Sequence, residues 1–226
     1  MNYFGHAVAA GWRSQAPRFA VGAMLPDWAS MCGVRLGAGD GELAAGIAFH
    51  HATDRAFHQL DGFRTLERWT AGALAAQGVA RGPSLGAAHV AVELALDGVL
   101  VARESAAGAL YLAAIGDAPG CASVHGDDAR MAVLLEHLAR QGVPHGYADP
   151  HEVARRTART LARRPRLALD PAAQATLAAF APLLLGEVAA TAEMLMAELR
   201  ARLAADDVPA IGIASMPLRG GRSSPP

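Results

Sequence analysis

Residues 84–103 read SLGAAHVAVELALDGVLVAR. Apolar residues recur at three- and four-residue spacing along the whole stretch, and Ala and Leu, both strong helix formers, supply most of them. His89, Glu93 and Asp97 stand every fourth residue, so the helix predicted here carries them on one face. The same periodicity predicts helices over 2–10, 17–31, 40–59, 62–78, 105–116, 126–141, 149–163 and 171–205, each bounded by Gly, Pro or a capping acid. Asp40, Asp127 and Asp149 suit helix starts, Pro150 and Pro171 suit a first turn, and Gly116 and Gly142 suit helix stops. No run alternates apolar with polar for long, so strand signals are scarce. The chain is therefore expected to be all-α, with one domain over 1–205 and a poorly ordered tail over 206–226 that is rich in Pro, Gly and Ser.

Composition bounds the function classes. With 226 residues, 52% of them hydrophobic and 18% charged, the chain has the makings of a large core and not of a disordered segment. Lysine is absent, and 20 arginines face 21 acids for a net charge of −1, so neither nucleic acid nor an anionic membrane is expected as a partner. No uninterrupted apolar run of about 18–20 residues occurs, and Met1 to Gly11 lacks the basic stretch of a signal peptide. A cytoplasmic location is the expectation. Cys32 and Cys121 lie far apart and outside any CxxC, which argues against a disulfide framework or a thiolate zinc site.

The candidate chemistry lies in the first half. In GIAFHHATDRAFH, residues 46–58, His50 and Asp54 stack on one helix face, and His51, Asp54 and His58 share a nearly coincident one. A helix buried nearly all round that still carries His89, Glu93 and Asp97 must satisfy them, through a metal ion or through a hydrogen-bonded network. His6 interrupts the apolar NYFGHAVAA, and Asp27 follows Pro26 in VGAMLPDW, where the proline is expected to end a helix and leave the carboxylate at a turn. Several helices each donating one or two side chains is how an all-helical protein builds a metal centre. The set His6, Asp27, His50, Asp54, His89, Glu93 and Asp97 offers mixed N/O ligands that suit Mn, Fe, Mg or Zn. The plainer alternatives are a hydrogen-bonded core histidine at position 6, an intrahelical His50–Asp54 pair on a wet face, and a buried polar network around His89.

MNYFGHAVAA, GIAFHHATDRAF, AAHVAVELALDGVL and RRPRL at 163–167 together resemble the acyl carrier protein phosphodiesterases, all-helical relatives of the HD-domain metallohydrolases. VGAMLPDW also resembles a G-x-x-x-PD element of zinc-dependent phospholipase C-like hydrolases. The resemblance implies an HD-like helical bundle, puts His6, Asp27, His50, Asp54 and His89 at metal or active-site positions, and implies a phosphopantetheinylated acyl carrier protein as substrate. The chain departs from the pattern where the family has a DH pair: Ala88 precedes His89, so Glu93 or Asp97 must supply the carboxylate. A substrate-facing basic residue of the family is replaced by His51.

These readings converge on a metal-dependent phosphoester hydrolase, with a phosphodiester foremost, in which Asp27 or Glu93 takes a proton from metal-bound water. The alternative is a non-catalytic helical scaffold or binding protein that keeps the fold without turnover. The arginines at 155, 156, 159, 163, 164 and 166 form either a solvated helix face or a landing site for phosphate or an acidic carrier protein. His125, His137, His145 and His151 are expected at the surface, and Trp12, Trp28 and Trp69 in the core or at helix junctions.

Overall fold

Helix α1 (Tyr3–Arg13) is buried from Tyr3 through Ala10, and everything else in the fold is arranged around it and one longer helix. The computed structural model describes residues 1–121, 124 and 128–205. After α1 come α2 (Pro17–Cys32), α3 (Gly41–Phe57), α4 (Asp61–Ala76), α5 (Arg81–Arg103) and α6 (Ser105–Asp117). They are followed by α7 (Ala129–Gln141), α8 (Pro150–Leu161) and α9 (Pro171–Ala205), with 3-10 turns at Ala118–Cys121 and His145–Ala148. No strand occurs among the described residues, and the protein is all-α. The expected tail lies outside the described residues, as do Asp127 and His125.

Local signals set most helix ends. Asp149 caps α8 by accepting from the His151 backbone N–H, with Pro150 in the first turn. Asp128 caps α7 in the same way, accepting from Arg130 N. Gly142, at φ 67°, ends α7, and Gly33, also at φ 67°, ends α2 in the left-handed conformation that a glycine adopts without strain. Two expectations are corrected. Gly116 does not stop α6, which runs on through Asp117 into a 3-10 turn. Pro26 does not end a helix but lies inside α2, and Asp27 is a mid-helix residue. The lost N–H bond is outweighed there by burial, since Met24, Leu25 and Trp28 around the proline are fully enclosed and each such side chain contributes about 1.5–3 kcal/mol.

Helix α5 runs through the centre, packed by α1, α4, α6, α8 and α9, so its apolar residues meet a neighbour on almost every side. One continuous core results, with Tyr3, Trp28, Phe57, Phe63, Tyr111 and Tyr147 as its largest enclosed side chains. The closest helix pair is α2 with α3. A Cβ on Gly22 would lie 2.4 Å from Leu43 O, and one on Gly46 would lie 2.2 Å from Phe19 O, so only glycine at both positions lets the two backbones touch. Helices α5 and α9 are long and apolar enough to cross a membrane by length and composition; 67% of the apolar window of α5 is buried inside the bundle, and 28% of that of α9. Trp28 is a core residue, Trp69 packs on Phe180 where α4 meets α9, and Trp12 lies under the Arg200 guanidinium. His137, His145 and His151 are exposed, as expected.

Candidate metal centre

The close approach of α2 and α3 sets the first half of the site. It places the His50 ring against the α2 backbone, where Nδ1 lies 2.8 Å from Ala23 O. A carbonyl only accepts, so Nδ1 carries the proton and Nε2 is left with its lone pair free. Fixing an imidazole through its second nitrogen is how proteins prepare a histidine to ligate. The His6 ring, from α1, stacks on that of His50 with 4.0 Å between centroids. His6, Asp27 and His50 each bring a ligand atom within 4.8 Å of the others.

This group is short of partners. Neither ring nitrogen of His6 has a hydrogen bond, nor has Asp27 Oδ2, although all three atoms are buried. Buried polar atoms in a folded protein are nearly always paired, so three orphans in one place call for an explanation. His6 Nε2 lies 3.9 Å from Asp27 Oδ2 and 3.8 Å from Asp54 Oδ1, too far for hydrogen bonds. Two atoms bound tetrahedrally to one ion at ~2.1 Å stand about 3.4 Å apart, a spacing only slightly shorter. Burial holds His6 well below the usual imidazole range, helped by His50 and the Met1 amine and against the pull of the nearby Met1 carbonyl. Burial likewise brings His50 down to about 4, against the pull of the Ala23 carbonyl. Both rings are therefore neutral lone-pair donors near neutral pH. Burial pushes the Asp27 carboxyl well above its ordinary range.

A second group stands beside the first. His58, which follows the last residue of α3, joins His89 and Glu93 of α5 with ligand atoms again within 4.8 Å of one another. His58 Nε2 lies 2.9 Å and His89 Nε2 3.3 Å from Glu93 Oε1. Glu67, from α4, accepts from His89 Nδ1 at 2.7 Å, and this hydrogen bond raises the His89 pKa. Asp54 lies between the groups, with Oδ1 toward His6 and Oδ2 3.5 Å from His58 Nδ1.

The Met1 α-amino group also enters this space, donating at 2.8 Å to Asp54 Oδ1 and at 2.8 Å to Glu93 Oε1. Burial works against its charge, but the carboxylates of Glu93, Asp54 and Asp27 outweigh burial and raise its pKa to about 10. Burial alone would raise the pKa of Glu93; the amine, His58 and His89 reverse that and bring it down to about 2.

Six of the seven expected ligands thus gather in one region: His6, Asp27, His50, Asp54, His89 and Glu93. Asp97 is the correction. Its Oδ1 accepts from Gly5 N at 2.8 Å, and its Oδ2 accepts from Phe4 N at 3.1 Å and Asn2 Nδ2 at 2.7 Å. It satisfies the first N–H groups of α1, which a helix cannot satisfy from within, and so it neither ligates nor orients an imidazole. Burial raises its carboxyl to about 7 even against those three donors. The carboxylate that meets His89 is Glu93, one turn away, while Ala88 is simply buried. His58 and Glu67 were not among the expected ligands; His58 was legible as the third member of the 50, 54, 58 series, whereas Glu67 had no sequence signal. No family model matches the chain, and neither characterised proteins nor solved structures return a match.

Proposed function

We propose that the chain is a metal-dependent phosphoester hydrolase, with a phosphodiester as its substrate. The observation that carries the reading is the orphaned pair His6 and Asp27 beside His50, whose Nε2 lone pair is set free by the Ala23 carbonyl. His6, Asp27 and His50 would hold one ion, with Asp54 shared toward His58, His89 and Glu93; the N/O donor set suits Mn, Fe, Mg or Zn. A bound ion would supply a water of near-neutral pKa and a charge against the phosphoryl oxygens. Asp27 would give Oδ2 to the ion, and its other carboxylate oxygen is then the group available to take a proton. Glu93 is committed to the amine and His58, which makes it a positioning residue and leaves Asp27 the better proton acceptor of the two. The choice of phosphodiester, and of a phosphopantetheinylated acyl carrier protein among phosphodiesters, rests on the resemblance of the four sequence islands.

One observation favours the scaffold reading. The Met1 amine already gives Asp54 and Glu93 a positive partner, so the second group is held together by hydrogen bonds without an ion. Elemental analysis after loading with Mn, Fe or Zn, followed by an assay with bis-p-nitrophenyl phosphate, separates the two. Stoichiometric metal and turnover, both lost in His50→Ala, are the expected result. No metal uptake overturns the reading, and metal uptake without hydrolysis of any phosphoester tried leaves the scaffold.

A further inference from the structure

Three of the six arginines between 155 and 166 come together beside a neighbouring helix. Arg155, Arg156 and Arg159 of α8 line a cleft of about 410 Å³ together with His137, Arg140 and Gln141 of α7. None of these residues belongs to the metal centre, whose side chains come from α1 to α5. Two of its arginines are held by neighbours. Glu152 holds Arg155 through two hydrogen bonds of 2.6 and 2.7 Å and Arg156 through one of 2.5 Å, and the Arg156 guanidinium lies 4.7 Å above the Tyr147 ring. Arg156 also donates to Tyr147 Oη at 3.3 Å. Holding a guanidinium in place before a ligand arrives lowers the ordering cost of binding.

The charge is not balanced. Four guanidiniums line the cleft and two of them pair with one carboxylate, Glu152, which leaves a surplus of positive charge in a chain whose net charge is −1. Arg140 reaches only the Glu136 carbonyl, at 3.4 Å, and Arg159 has no ion pair among the described residues.

From these observations we infer that the cleft between α7 and α8 binds the phosphate group of a small phosphorylated compound. Planar guanidinium forks match phosphate oxygens two at a time, which favours phosphate over a carboxylate or a simple halide. The volume, about 410 Å³, suits a small molecule and leaves room beyond the phosphate itself.

Calorimetric titration tests this with two probes, inorganic phosphate and glycerol phosphate, in separate arms. Saturable binding is expected in the ester arm, weaker binding of the free ion, and a loss of about tenfold or more in Arg159→Ala and in Arg140→Ala. Both residues are exposed, so neither change disturbs the core. Arg166→Ala, on the same basic run but outside the cleft, keeps wild-type affinity, and so does His50→Ala, which separates this site from the metal centre. Tighter binding of the free ion than of the ester would make the site one for phosphate itself and overturn the ester. No binding up to about 10 mM in either arm, or an equal loss in Arg166→Ala, overturns the cleft as a site.

Discussion

Replacing Gly46 by Ala tests the contact on which the site depends. The new Cβ would stand 2.2 Å from Phe19 O, 2.8 Å from Gly22 Cα and 3.0 Å from Ala23 N. All three are backbone atoms, so no side chain can turn away, and α2 and α3 must separate by about 1 Å to restore van der Waals contact. Overpacking of this kind costs about 1–3 kcal/mol, and with only backbone to move the upper end applies. Separation also stretches the 2.8 Å bond between His50 Nδ1 and Ala23 O, whose loss leaves a buried donor unpaired at about 1–3 kcal/mol. Against these stands a gain of about 1 kcal/mol for Ala over Gly within a helix. The net expectation is a destabilisation of about 3–5 kcal/mol, or roughly 6–20 °C in Tm for a domain of this size. Thermal unfolding followed by circular dichroism measures it. Gly186→Ala is the internal control, because its added Cβ meets nothing within 4 Å and the same propensity gain stands alone there, making that variant slightly more stable. Equal behaviour of the two variants would refute the account of α2 and α3 as helices in backbone contact. A Gly46→Ala protein that folds should also lose metal affinity, since the His50 tautomer is no longer fixed.

Asp97→Ala leaves the buried N–H groups of Phe4 and Gly5 without an acceptor and should cost about 2–5 kcal/mol in chemical denaturation, with Asp97→Asn costing about half because one oxygen remains; a neutral Asp97→Ala would contradict its structural role. Glu67→Gln weakens the hold on His89 and should lower the His89 pKa, followed by NMR titration, with little change in Tm. Acid stability follows in part from the depressed pKa values of His50 and Glu93. Between pH about 6.5 and 4 the unfolded chain binds a proton at His50 that the folded chain refuses, so stability falls as pH drops through that window. Between about 4.5 and 2 the same holds for Glu93. Replacing His50 by Gln should make the first window shallower, with His6 still contributing, and Glu93 by Gln the second, with Glu152 still contributing, as measured by denaturation midpoints across pH.

Much of this architecture is written locally. Ala-rich runs of helical period, with Asp149 and Pro150 at one boundary and Gly142 at another, specify an all-α chain because capping and periodicity depend only on residues within a turn of one another. The same short range made the 50, 54, 58 and 89, 93, 97 series legible, since residues four apart share a helix face whatever the fold. Which faces meet is a different matter. His89, Glu93 and Asp97 look equivalent along α5, yet the first two meet His58 and the Met1 amine, while Asp97 is spent on the N–H groups that open α1. Pro26 ends a helix on local grounds, but the burial of Trp28 and Leu25 against other helices carries α2 through it. Glu67 gives no sign of its part until α4 is laid against α5. Periodicity fixes direction around one helix axis; the side chains that a given face encounters depend on how closely two axes approach, and for α2 and α3 that distance was decided by the mutual contact of Gly22 and Gly46.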